Sequence, residues 1–129
     1  MAKLRHIAMV VENMEKTAQF YEKAFEMKRV RQSDTAIGLS DGVVSLVIIH
    51  PSNVNMKGDD RRGLHHLGFL VEDVSKESDR VLSAGAKLHG AIIDSKGGAE
   101  REHKFKDLNG QIFDLTTPGY ARDVWKVSV

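Results

Sequence analysis

The sequence predicts an α+β fold made of two βαβββ modules, and three observations carry that prediction. The first is an internal repeat: LRHIAMVVENMEK (4–16) and LHHLGFLVEDVSK (64–76) align at a constant offset of 60 residues. Leu4, His6, Val11, Glu12 and Lys16 recur as Leu64, His66, Val71, Glu72 and Lys76. The second is the change of hydrophobic spacing that follows each copy, from strand to helix and back to strand. The third is a pair of turn dipeptides, Asp41-Gly42 and Asn109-Gly110, one in each half, where the backbone tolerates positive φ and reverses a hairpin.

Taken in order, the first copy opens a strand that ends in an acidic turn. MEKTAQFYEKAFEM then spaces Met14, Ala18, Tyr21 and Phe25 at helical intervals. Short strands follow in RVRQSD, TAIGLSDG and VVSLVIIHP and close module one (1–51). The polar, turn-rich stretch 52–63 is the linker. Module two (64–118) repeats the plan: VSKESDRVLSAGAKL carries Val74, Val81 and Leu82 on a helix that Gly85 ends, and strands follow in AKLHGAIIDS, EREHKFKDLNG and QIFDLTTP. The tail 119–129 is too short for a domain, so Tyr120, Val124 and Trp125 are expected to pack on the body or on a partner subunit.

The bulk numbers restrict function more than they specify it. A chain of 129 residues is one domain that can bury a core of its own. A hydrophobic fraction of 41%, a charged fraction of 29% and a net charge of +1 point to no nucleic acid and no anionic membrane as partner. With no cysteine, a metal must be held by histidine, carboxylate or amide ligands. The N-terminus lacks the features of a secretory signal, and no apolar run approaches the roughly 20 residues of a membrane helix. The expected location is cytoplasmic.

Two histidines stand side by side in GLHHLGFLVEDV (63–74), and in a regular strand they point to opposite faces. The repeat matches His66 to His6 and His65 to Arg5. His66 is therefore expected to face inward, with His65 pointing away. Ala8 and Val10 continue the inward parity after His6, as Gly68 and Leu70 do after His66, and the small residues among them are expected to leave room for a ligand. Asp114 lies in the apolar strand IFDLT, where a buried carboxylate needs a metal, a cation or a proton. The plain alternative is that Asp114 is exposed. Two neutral imidazoles and a carboxylate make a facial triad that leaves open positions on a divalent ion for a chelating substrate or dioxygen.

The paired βαβββ pattern, with HIAMVV opening one module, HLGFLV the next and DLNGQIFDL near the end, resembles the vicinal oxygen chelate superfamily. That group includes glyoxalase I, methylmalonyl-CoA epimerase, extradiol dioxygenases, and the fosfomycin and bleomycin resistance proteins. The resemblance covers the chain to about Pro118 and implies a cup-shaped half-barrel with a divalent metal at its base. It implies that His6, His66 and Asp114 are the metal ligands. A fourth ligand of the family is replaced here: turn alignment places Leu46 opposite Asp114, proline alignment places Val47 there, and neither binds a metal. His50, at a strand end, is an alternative filler.

Three functions follow as expectations. A three-ligand site suits Fe(II) and favours a ring-cleaving or related dioxygenase. A Lewis-acid lyase or epimerase of the glyoxalase type would use Zn, Ni, Mn or Co and needs a base, for which His103, Glu102 and His50 are candidates. A metal-free binder of a small molecule such as an antibiotic is the third. His103 could reach the cup mouth and assist proton transfer. His65 and His89 read as surface or rim residues, Arg101 and Glu102 as solvated charges, the Arg61-Arg62 pair as solubilising, and GGAE (97–100) as a loop able to close over a small-molecule substrate. Chains of this kind are expected to form homodimers.

Overall fold

The computed structural model describes residues 1–89, 93–94 and 101–129. Module one comprises β1 (Lys3–Val10), α1 (Met14–Phe25), β2 (Lys28–Gln32), β3 (Ala36–Ser40) and β4 (Ser45–Ile49). After a single 3-10 turn at Val54–Met56 come β5 (Gly63–Leu70), α2 (Val74–Ser83), β6 (Lys87–Leu88), β7 (Ile93–Asp94), β8 (Arg101–Lys106) and β9 (Ile112–Thr116). The short helix α3 (Pro118–Tyr120) runs into a π-helical turn at Ala121–Trp125. The strand expected in AKLHGAIIDS is seen as two short pieces, β6 and β7, both antiparallel to β8.

All the strands belong to one open mixed sheet, ordered β2-β3-β4-β1-β5-β9-β8-β6 with β7 also on β8. Each module lays its last strand parallel to its first, β4 on β1 and β9 on β5. The two first strands meet antiparallel in the middle. The strands that carry His6 and His66 are therefore neighbours within one chain.

The repeat extends to the helix caps. Asn13 and Asp73, again 60 apart, each accept a hydrogen bond from the backbone N–H three residues on, at Lys16 and Lys76. Both helices cover one face of the sheet. On α1, Ala18 packs with Ile37, Leu39 and Ile48, while Val74 at the start of α2 packs with Val71, Phe105 and Leu115.

The opposite face forms the cup. Ala8, Val10, Val47 and Ile49 line it in module one together with Met56 from the linker. In module two it is filled by Leu70, Ala121, Trp125 and Val127, so the tail packs on the body as expected. Trp125 is fully buried. Trp125→Ala is expected to cost about 3–5 kcal/mol, read as a lowered urea midpoint, since an aromatic side chain is lost from a packed site.

The central pairing slips twice, and both slips matter. Leu4 pairs with Phe69 and His6 with Gly68, which leaves Arg5 as an extra residue on β1. Ala8 pairs with His66 and Met9 with Leu64, which leaves His65 extra on β5. These β-bulges stand immediately before the two inward histidines, at positions related by the repeat. A bulge puts two residues against one and suspends strict alternation. Consequently His65 does not point away: it is 5% exposed, and its Nδ1 lies 2.7 Å from Nδ1 of His66.

Candidate functional site

The antiparallel register of β1 and β5 places His6 against Gly68 and His66 against Ala8, which brings the two imidazoles together with Nε2 atoms 3.1 Å apart. On β9, Asp114 pairs with Gly68, and its Oδ2 lies 3.4 Å from Nε2 of His66. One ligand atom from each of His6, His66 and Asp114 falls within 4.8 Å of the others, and all three residues are buried. Outer partners orient the rings. Nδ1 of His6 meets Ser45 Oγ at 2.9 Å, and Nδ1 of His66 meets His65, whose Nε2 lies 3.6 Å from Asp59. The His6 ring also stacks on Trp125, with centroids 4.5 Å apart and planes 5° from parallel.

Gly68 serves this stack rather than a ligand. A Cβ there would lie 2.7 Å from the His6 Cβ and 2.8 Å from the Trp125 ring, so the space expected for a ligand beside His66 is filled by these two side chains.

Two further polar side chains come from β8, where Lys104 pairs with Asp114 and Glu102 with Thr116. Lys104 Nζ donates to Asp114 Oδ1 at 2.7 Å and lies 3.5 Å from Glu102 Oε2. Glu102, read from sequence as solvated, has only 14% of its side chain exposed and bonds to Asp114 and Tyr120. Tyr120, expected only to pack, also faces the cup. Together with His6, His66 and Arg31, these residues line a cavity of about 330 Å³.

The charges follow from this crowding. Burial raises the Asp114 carboxyl well above the usual range, the adjacent negative charge of Glu102 adds to this, and Lys104 opposes it only in part. Burial works in the same direction on Glu102, but Lys104 and the hydrogen bonds from Asp114 and Tyr120 outweigh it, and its carboxyl sits below the usual range. Of the two carboxyls that share the Lys104 ammonium, Asp114 is thus the one held up and Glu102 the one held down.

Burial drives the His6 imidazole down to about 3, with Arg31 and Lys104 adding and Glu102 opposing. Burial also holds His66 far below the usual value. Both rings are neutral in the native chain, whereas the unfolded chain protonates them below about 6.5. Stability from the histidines is thus complete above pH 6.5 and is lost as the pH falls from there toward 3. Asp114 acts with the opposite sign, since its raised value lets the native chain keep a proton that the unfolded chain has released above 3.8. His65 and His89, also held below the usual value by burial, add to the two site histidines, and Asp114 offsets them in part. Metal-free protein is accordingly expected to lose stability as the pH falls from 6 to 4, by about 1.4 kcal/mol per pH unit for each net proton the unfolded chain takes up, read from thermal unfolding in a pH series.

The remaining sequence candidates are not brought together here. His103 lies on the other side of β8, its Nδ1 3.5 Å from Ser78 Oγ on α2, so it does not line the cavity. The reason is parity, because Glu102 and Lys104 on either side of it face the cup. His50 folds back on Ser52 at 2.7 Å and does not reach the site. The GGAE loop lies outside the described residues. Of the two positions considered for a fourth ligand, Val47 holds the place: it pairs with Ala8 as Asp114 pairs with Gly68, and it lines the cavity.

The donor set fits a divalent metal. Asp114 Oδ2 is buried without a hydrogen-bond partner, and both imidazoles present neutral nitrogens. Two donors about 2.1 Å from one ion at a right angle stand about 3 Å apart, which is the spacing of the Nε2 pair.

Residues 3–115 match the family described as the Glyoxalase/Bleomycin resistance protein/Dioxygenase superfamily. Provisionally named lactoylglutathione lyases of Brassica oleracea var. gemmifera and Arabidopsis thaliana are each 26% identical to this chain, over 123 and 127 residues. The matches cover 88% and 91% of this chain but 44% and 36% of those proteins, so the chain spans less than half the length of either. Among solved structures, a hypothetical protein from Bacillus halodurans C-125 superposes with a TM-score of 0.71 at 15% identity, covering 90% of this chain and 94% of that one. Methylmalonyl-CoA epimerase from Mycobacterium tuberculosis superposes with a TM-score of 0.69 at 19% identity, covering 89% and 87%. These likenesses concern the fold. Among the described residues, no helix is long and apolar enough to cross a membrane.

Proposed function

Because the chain belongs to the Glyoxalase/Bleomycin resistance protein/Dioxygenase superfamily, we propose that it is a divalent-metal enzyme that moves a proton at a carbon next to a carbonyl, in a small substrate with vicinal oxygens. His6, His66 and Asp114 would hold the metal. Bound there, a divalent ion supplies a Lewis acid for substrate oxygen. The observation that carries the reading is Glu102, a carboxyl group that lines the same cavity with only 14% of its side chain exposed and is hydrogen-bonded to Tyr120. It supplies the base that a lyase or epimerase needs, a role for which His103 and His50 are out of reach. Tyr120 steadies it by hydrogen bonding, and Lys104 keeps it charged. The relatives named as lactoylglutathione lyases support the same class.

Glu102→Gln is expected to keep metal content and lower turnover about 10²–10⁴-fold, the usual worth of a positioned proton acceptor. The assays are hemithioacetal turnover and solvent-deuterium exchange into acyl-CoA epimers. Retention of full activity by the variant would exclude the reading. One observation favours a second reading: Val47 in the fourth ligand's place leaves a three-donor site of the kind that suits Fe(II), and substrate-dependent oxygen uptake would mark a dioxygenase. A cytoplasmic homodimer completes the proposal, with sedimentation velocity as the check on assembly.

A further inference from the structure

On β2, Arg29 and Arg31 are two residues apart, and in a regular strand they would share a face. Arg29 points to α1, where its guanidinium meets Glu15 at 2.7 Å and Glu22 at 2.6 Å. Between them the pairing with β3 slips, from Arg29 opposite Leu39 to Arg31 opposite Gly38. The extra residue, Val30, turns Arg31 to the other face, a re-aiming that bulges beside functional sites commonly produce. Arg31 consequently lines the cup cavity.

Its path depends on Gly38. A Cβ at that position would lie 2.7 Å from Arg31 Cγ and 2.9 Å from Nε, so the arginine stem lies across β3 only because the strand has no side chain there. The other cation in the cavity, Lys104, already holds two carboxylates. Arg31 has no hydrogen bond or ion pair with any described residue. An unmatched guanidinium on the wall of a cavity is a forked donor set suited to an oxyanion.

We propose that Arg31, turned inward by the bulge at Val30 and laid over Gly38, binds an anionic group of the substrate, a carboxylate or phosphate, while the reacting end meets His6, His66 and Asp114. The substrate class narrows to small anions that carry the oxyanion at a distance from the vicinal oxygens. This deepens the function proposed above and rests on it for the reacting end only.

The test titrates the full chain, both stripped by chelator and supplied with zinc, with malonate and separately with inorganic phosphate. Calorimetry gives affinity, and the Nε resonance of Arg31 gives location. Saturable binding with a shift of that resonance in the stripped protein is expected, weakened at least tenfold in Arg31→Gln and also in Gly38→Ala, both shown folded by circular dichroism. Tighter malonate assigns a carboxylate, and tighter phosphate a phosphoryl group. Binding unchanged in Arg31→Gln, a resonance that stays put at saturation, or no binding of either probe would overturn the proposal. Because the stripped protein gives the reading, failure of the metal site and failure of the anion site are seen separately.

Discussion

Asp114→Ala is expected to lower affinity for a divalent ion by at least about 100-fold, since loss of a direct ligand exceeds the 10–100-fold that outer partners usually carry. Metal content by mass spectrometry should fall from near one per chain to background, and turnover with it. The chain should still fold, because the change also removes a buried carboxyl that is costly to ionise. The effect is large because Asp114 supplies the only anionic donor of the triad, with Oδ2 otherwise unbonded. Stoichiometric metal in the folded variant would show that the ion binds elsewhere, and the function built on the triad would go with it.

Lys104→Met is expected to change two quantities in opposite directions. The side chain is 14% exposed, and its ammonium holds Asp114 at 2.7 Å and Glu102 at 3.5 Å. Removing it leaves two buried carboxyl groups without their cation. Metal-free protein should lose about 3 kcal/mol, at the low end for breaking a buried pair because Asp114 can escape by protonation. Affinity for a divalent cation should rise, since a competing positive charge bonded to a ligand oxygen has gone. Chemical denaturation of stripped protein and a metal titration measure the two effects. A purely structural lysine would weaken both, so a drop in metal affinity would rule out the competition.

The parts of this arrangement that repeat at a 60-residue offset were legible in the sequence. They include the strand–helix plan, the pairing of His6 with His66 and the inward side of each. Asp114 was legible for a different reason, as a lone carboxylate in an apolar strand. The missed residues depend on register, which a linear pattern does not carry. A two-residue turn at Asn109-Gly110 would set Phe105 opposite Asp114, whereas the observed loop, closed by Asp107 N–H bonding to the Gln111 carbonyl, sets Lys104 there. That single step explains why Glu102 read as a solvated charge and why Lys104 did not stand out. The inward turns of His65 and Arg31 were hidden in the same way, because each follows from a bulge that breaks the alternation assumed along a strand.

The meeting of β1 and β5 at the centre of the sheet has a consequence for the chain as a whole. Module one contributes His6 and module two His66 and Asp114, so neither holds the full set alone, and the triad straddles the seam between them. An ion held there would act as a rivet. At 100 times its dissociation constant it would add about 2.7 kcal/mol to the folded state, and that energy would fall on the contact that keeps the two modules in one sheet. With the proposed ion bound, chelation and cohesion would be the same event in this architecture, and the metal-free protein would be more easily parted at its middle.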